Sequence, residues 1–288
     1  MGSVKKISLW RAGLQSFGRH WREWLPVAMV FFFIFALFNI SMMKFIEPLQ
    51  AKMMELKGSK DPQAGLALFK DMAPQLSVFA VAMILIMYVE HYLFLWFFMK
   101  REQLAITAKP TLRQFFCYVA VSMQLGFALI LPIGALMGVS ALFMKAVPAL
   151  FVIGGIGSFV LAIFLMIRLY FAIPLAAAKL LTPLRSSWTL TKGNVWRLLG
   201  NTLLFMLLIV VIYLGALIVS ILAGLALGLV ATLASLPVKP LIDIFFRVVL
   251  GSAFSVFIAG MSSSYASAAC RILYQEKLQA DPTFILTR

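Results

Sequence analysis

One acidic residue lies deep within an apolar stretch: Glu90, ten residues before the basic pair Lys100-Arg101, with His91 beside it. At ~1.5 Å per helical residue, the carboxyl group sits ~15 Å from that basic end, near the midplane of a bilayer. An ionisable group there costs at least ~2.5–3.5 kcal/mol, so it must be paired, protonated or facing water. Two chemistries fit. A structural ion pair would use Arg168, six residues before Pro174 in a later apolar stretch and at comparable depth. A proton or ion site would use Glu90 with His91, although neighbouring helical residues point ~100° apart and do not serve one ligand equally. Ser262, Ser263, Ser264 and Tyr265 would line a polar path if they faced water.

Other chemistry finds no residues to carry it. The chain has no His-Glu-x-x-His, no Gly-x-Ser-x-Gly, no phosphate-cradling glycine loop and no close carboxylate pair. Gly260-Met261-Ser262-Ser263 lacks the closing glycine of a serine-nucleophile turn. Cys117 and Cys270 have no His or Cys companion at metal-ligand spacing, and they read as small apolar packers. The expectation is a protein that is not an enzyme, with no metal and no cofactor.

The elements that hold these residues are membrane helices. Of 288 residues, 63% are hydrophobic and 12% charged, whereas charged residues make up about a quarter of a soluble domain. Six continuous apolar runs meet the ~20-residue requirement of a bilayer core: about Trp24 to Met43, Leu76 to Met99, Phe115 to Phe143, Val147 to Phe171, Leu198 to Leu233 and Phe246 to Cys270. Continuous runs specify helices, since barrel strands alternate. The fold class expected is all-α and polytopic, one integral membrane domain over residues 1–288. The first run reads as a retained helix, because a long leader precedes it and no small-residue cleavage site follows.

Orientation comes from charge and tryptophan. All six tryptophans, Trp10, Trp21, Trp24, Trp96, Trp188 and Trp196, fall at one end of the runs, where the ring suits the headgroup layer. The same end collects Lys5, Lys6, Arg11, Arg19, Arg22, Lys100, Arg101, Lys109, Arg113, Lys179, Arg185, Lys192, Arg197, Arg271, Lys277 and Arg288. The other end holds Lys145, Lys239, Arg247 and a loop of mixed charge, with Asp243 and Arg247 spaced as a helical ion pair. Positive residues stay inside, so both termini are expected in the cytoplasm of a cell whose inner membrane holds the chain. The net charge of +15 then signals topology and attraction to anionic lipid; nucleic acid is not the expected partner.

Short amphipathic helices are expected at the interface. Ile7, Trp10, Leu14, Phe17 and Trp21 form one stripe, predicting an interfacial helix over 1–20 that breaks at Gly18. Gly193-Asn194-Val195-Trp196-Arg197 repeats Gly18-Arg19-His20-Trp21-Arg22 as Gly-x-x-Trp-Arg, either as an internal repeat or as two independent anchors. The second copy follows a short helix over 182–193 that begins at Thr182-Pro183. Trp10, Arg11, Trp21, Arg22, Trp188, Lys192, Trp196 and Arg197 are the expected lipid contacts. Residues 44–75 read as an extracytoplasmic helical hairpin, one helix ending at Lys57-Gly58 and another starting at Asp61-Pro62. Within the membrane, Gly251, Ser255, Ala259, Ser263 and Ser267 repeat every four residues, as do Ala216, Ser220, Gly224 and Gly228. Such stripes allow close helix approach.

The segment Arg168-Leu-Tyr-Phe-Ala-Ile-Pro174, followed by Pro183-Leu-Arg-Ser-Ser-Trp188-Thr-Leu-Thr-Lys-Gly-Asn-Val-Trp196-Arg197, resembles the signature of the YciC-like bacterial inner-membrane proteins. It is also similar to the membrane domain attached to some glycerophosphodiester phosphodiesterases. The resemblance covers about 30 residues of the chain. It implies a multi-helix bacterial inner-membrane protein without established chemistry, and no phosphodiesterase domain accompanies it here. The function expected is organisation of membrane lipid, anionic in character, or of a membrane-protein partner or second copy. The competing reading is a small-solute or proton-coupled transporter or channel using Glu90, with Pro132, Gly134 and Gly138 interrupting the third helix.

This topology is testable by reporter fusion. A fusion at residue 60 should report the extracytoplasmic side, and one at the C-terminus the cytoplasm. A cytoplasmic signal at residue 60 would overturn the arrangement.

Overall fold

A computed structural model describes residues 8–56, 62–104, 109–142, 148–178, 182–233, 242 and 244–281. Among these the chain is all-helical. The helices are α1 Leu9–Leu56, α2 Pro62–Arg101, α3 Leu112–Leu142, α4 Pro148–Leu169, α5 Ala172–Ala177, α6 Pro183–Thr191, α7 Val195–Leu233 and α8 Gly251–Ala280, the last entered through a π-helical turn at Ile244–Leu250. Six stretches are long and apolar enough to cross a membrane: Leu9–Ile46, Met72–Arg101, Leu112–Leu142, Phe151–Ala177, Val195–Val230 and Ile244–Ala280.

Local sequence explains the starts and stops. At the head of α3, Thr111 and Gln114 form a reciprocal capping box: the Gln114 backbone N–H donates to Thr111 Oγ1 (3.3 Å) and the Thr111 backbone N–H donates to Gln114 Oε1 (3.1 Å). The Tyr92 hydroxyl also donates to Gln114 Oε1 (3.4 Å), so the enclosed glutamine ties α2 to the cap. Pro183 occupies the first turn of α6, where its missing N–H costs nothing. After α6, Gly193 takes φ +84°, a conformation that side chains with a Cβ rarely adopt, and α7 begins at once.

Two expected breaks are absent. α1 runs unbroken through Gly18, so the leader and the first span are one helix and the anticipated interfacial helix is its first turns. A single glycine costs only ~1 kcal/mol inside a helix, and the turns on both sides are well formed by their own residues. Over 44–75 the two expected helix ends are found, α1 ending at Leu56 and α2 starting at Pro62, but these helices continue the spans without a break between. Lys57, Gly58 and Asp61 lie outside the described residues, as do Lys5, Lys6, Ile7, Asp243 and the Arg247 side chain. One break was not expected within the fourth run: α4 stops at Leu169 and α5 resumes at Ala172.

The chain divides into two compact units. Unit 1 comprises Met1–Trp21, Tyr92–Leu208 and Met261–Arg288; unit 2 comprises Arg22–His91 and Ile209–Gly260. Unit 2 packs by glycines meeting rings. A Cβ on Gly260 would come within 2.5 Å of the Trp24 ring, and one on Gly224 within 2.6 Å of Phe246. Asn39 donates to Ser252 Oγ at 3.0 Å, and Tyr213 packs on Phe254. On α7, Ser220 and Gly224 are buried while Ala216 and Gly228 are half-buried, so that stripe is a covered line. On the outer half of α8 the covered line is Ser252, Val256 and Gly260; Gly251 is exposed, and Ser255 and Ala259 are half-buried. The expected stripe is therefore one residue out of phase there. A spacing of four residues drifts ~40° per step on a helix of 3.6 residues per turn, so a line of that period does not keep to one face along α8.

Unit 1 holds the most enclosed side chains, among them Leu9, Phe94, Leu95, Phe98, Met99, Phe171, Leu175, Leu190, Leu198, Tyr265 and Leu273. Here Ser263, Ser264 and Ser267 are buried. A Cβ on Gly13 would lie 2.8 Å from the Tyr265 Cα, so α1 and α8 meet backbone to backbone. Two glycines in one helix thus carry opposite expectations. Gly18→Ala has open space and should raise thermal stability in detergent by ~0.5–1 kcal/mol. Gly13→Ala should lower it by ~1–3 kcal/mol, because the neighbouring backbone must move. Loss of stability in Gly18→Ala would restore the helix break.

Candidate functional site

The polar residues of unit 1 form two linked arrangements. In the first, the Glu102 carboxylate at the C-terminal end of α2 is enclosed. It accepts a short hydrogen bond from the Ser16 hydroxyl of α1 and forms an ion pair with Arg271 of α8 at 2.8 Å. One acid thereby binds three helices. Asn201 of α7 does comparable work at the head of α1. Its Oδ1 accepts from the Leu9 backbone N–H (3.0 Å), the Trp10 N–H (3.4 Å) and the Ser8 hydroxyl (3.4 Å), while its Nδ2 donates to the Arg197 carbonyl (2.7 Å). The first backbone donors of a helix have no partner of their own, and here a different helix supplies one. Ser264 donates to the Gly13 carbonyl at 3.0 Å, and the Tyr265 hydroxyl bonds Thr202 at 3.0 Å with its ring stacked on Phe205.

The second arrangement closes the break between α4 and α5. Ser187 of α6 accepts from the Phe171 N–H at 3.1 Å and donates to the Arg168 carbonyl at 2.9 Å. Thr191 also donates to the Arg168 carbonyl, at 3.2 Å. Backbone groups freed where a helix stops inside a membrane protein must be satisfied by protein, and α6 does so with two hydroxyls. Arg168 answers in the other direction. Its guanidinium donates to the Trp188 carbonyl at 3.3 Å and lies over the Trp188 ring (4.6 Å) and the Phe164 ring (5.5 Å). The turn after α6 is held as well, by Lys277 Nζ donating to the Lys192 carbonyl at 3.1 Å.

The residues singled out from sequence are dispersed by this geometry. Glu90 is 3% exposed, and its Oε1 is enclosed with no hydrogen-bond partner among the described residues. Glu90 belongs to unit 2 and Arg168 to unit 1. Within unit 1 Arg168 has no carboxylate at ion-pair distance among the described residues, and its guanidinium is held by a ring and a carbonyl of α6. His91 is half-buried beside Glu90. Ser262 is half-buried and Tyr265 is fully enclosed.

The expected lipid contacts separate into two groups. Trp10 is half-buried with Arg11 exposed over its ring (5.3 Å), while Trp21, Arg22, Trp188, Lys192 and Trp196 are exposed. Arg197 does not belong with them, because it pairs with Glu276 at 2.6 Å and is only 14% exposed. Trp24 is also no interface anchor, being buried against Gly260. The two Gly-x-x-Trp-Arg copies consequently differ. In the first, Gly18 is mid-helix; in the second, Gly193 forms a turn and the arginine faces inward. Sequence reading missed Ser16, Glu102, Gln114, Asn201 and Glu276, whose signal was their rarity as polar groups beside apolar runs. Cys270 is buried and Cys117 is exposed, both as free thiols.

These pairings leave a charge imbalance. Unit 1 contains three acids in its sequence, Glu102, Glu276 and Asp281, and the first two are committed to Arg271 and Arg197. Arg11, Arg19, Lys100, Arg101, Lys109, Arg113, Arg185 and Lys192 remain exposed. Among the described residues no group of three or more His, Cys, Asp or Glu is placed to hold a metal ion. No family model, curated protein or solved structure matches the chain.

Breaking the Glu102 clamp should be costly. Removing one member of a buried pair typically costs ~3–5 kcal/mol, and Arg271, at 36% exposed, can recover water. Glu102→Ala should therefore lower stability by about 2 kcal/mol in a detergent melt. The Glu276→Ala change, in the more open pair with Arg197, should cost ~1 kcal/mol or less. A cycle of Glu90→Leu and Arg168→Leu decides whether the two meet: recovery in the double variant would show a pair, and losses that add within ~0.5 kcal/mol would show two independent sites.

Proposed function

We propose that the chain is a non-enzymatic, multi-pass protein of a bacterial inner membrane, with both termini cytoplasmic, whose basic end holds anionic lipid and so organises lipid or a membrane-protein partner, including a second copy. The observation carrying this reading is the partition of charge in unit 1. Its acids Glu102 and Glu276 pair inward, while Arg11, Arg19, Lys109, Arg113, Arg185 and Lys192 are exposed. Each such cation is worth ~1 kcal/mol near an anionic leaflet, and exposed Trp21, Trp188 and Trp196 suit the same headgroup layer. The YciC-like resemblance of residues 168–197 agrees with the membrane assignment. A second reading, transport of a proton or small solute, is favoured by one observation: an enclosed Glu90 whose Oε1 has no hydrogen-bond partner among the described residues.

Lipid retained by the purified protein tests the first reading. Anionic phospholipid should be enriched over its share of the source membrane, and the enrichment should fall with rising salt because exposed cations are screened. Retained lipid that mirrors the bulk composition would refute it. Cysteines introduced beside Glu90, in a background without Cys117 and Cys270, should react slowly with water-borne reagents. Rapid labelling would favour transport.

A further inference from the structure

Arg168 is the cation whose setting the charge partition explains least. Helix ends favour cations near their last carbonyls, and Arg168 is one residue from the end of α4, yet its own carbonyl is already taken by Ser187 and Thr191. Its guanidinium has no carboxylate partner among the described residues and lies instead on aromatic faces. Those rings are open to the surroundings: Trp188 is 41% and Phe164 is 39% exposed. Arg185, one helical turn before Trp188 on α6, is exposed, and so is Lys192 at the end of the same helix. Neither side chain has a protein partner among the described residues. Arg168 thus lies on one partly open indole, with exposed Arg185 and Lys192 one turn before and after it along α6, where α6 packs against the end of a membrane-spanning helix.

We propose that Arg168, Arg185 and Lys192, arranged about Trp188, form a binding site for the phosphate of an anionic glycerophospholipid. The proposal rests on the lipid-holding function above and names its site. A stacked guanidinium keeps its plane fixed; the Arg168 Nε is enclosed, which leaves the fork of terminal Nη1 and Nη2 groups to meet two phosphate oxygens. One N–H of Arg168 is committed to the Trp188 carbonyl, and that bond sets the orientation of the fork. Phe164, one turn earlier on α4, supplies an apolar ledge for the glycerol backbone and the first acyl methylenes. A free anion would use the cations alone, whereas a lipid uses the cations and the ledge together.

The test is titration of the full-length purified protein in detergent with phosphatidylglycerol, with phosphatidylcholine and with inorganic phosphate, read by native mass spectrometry and thermal shift. Wild type should prefer phosphatidylglycerol. Arg168→Gln should weaken that binding about tenfold, as loss of a charge-assisted contact does. Lys70→Gln, an exposed cation on α2 outside that basic set, should leave it within twofold. Because Arg168→Gln also removes a bond between α4 and α6, the pair Arg185→Gln, Lys192→Gln provides a second variant with no interhelical side-chain bond to lose; it too should weaken binding about tenfold. Retention of wild-type affinity by both variants would overturn the site while leaving the broader function intact. Absence of any preference in wild type would overturn the broader function itself. Competition by millimolar inorganic phosphate would assign the site to a soluble anion and overturn the lipid.

Discussion

The Glu102 carboxylate is the interaction on which the rest of unit 1 depends. Lipid gives apolar helices no hydrophobic reason to leave it for one another, so association must come from close backbone contact and polar ties. Glu102 supplies such a tie to α1 through Ser16 and to α8 through Arg271. The backbone contact of Gly13 with Tyr265 joins the same two helices one turn away. Close approach and the polar tie reinforce each other: without the glycine the helices stand further apart, and without the acid Ser16 and Arg271 lose a shared partner.

The stretch from Arg168 to Arg197 shows a second use of the same rule. A helix that stops at Leu169 leaves carbonyls and N–H groups without partners, which is costly where water is scarce. α6 answers with Ser187 and Thr191, and Gly193 then turns the chain so that Asn194 precedes α7. Read this way, Ser187, Trp188, Thr191 and Gly193 are a single device for ending one span and starting another, with Arg168 and Trp188 as its outward face. Its residue types follow from backbone satisfaction, and no substrate is needed to explain them.

Much of this architecture was legible in the sequence because it depends on composition summed over long windows. Six spans, the short helix from Pro183 and the turn at Gly193 each have a strong local cause. What escaped were features decided by a neighbour far along the chain. Gly18 and Gly193 occupy the same Gly-x-x-Trp-Arg pattern, yet one is helical and the other has positive φ, since the choice depends on whether the flanking turns continue. Arg197 read as a lipid anchor because Glu276, its partner 79 residues on, is invisible to local pattern. The α8 stripe was recognised by period, but its phase shifts across the outer half, and period alone carries no phase.

Depth and azimuth together also explain why charge in this chain divides as it does. Bilayer insertion demands that cations gather on one side, and nothing in that demand requires them to face outward. In unit 1 the two inward cations, Arg197 and Arg271, each have an acid of their own, while Arg11, Arg19, Lys109, Arg113, Arg185 and Lys192 are exposed. An internal carboxylate therefore has two effects at once. It holds helices together, and it takes an inner arginine out of the set of cations that faces outward.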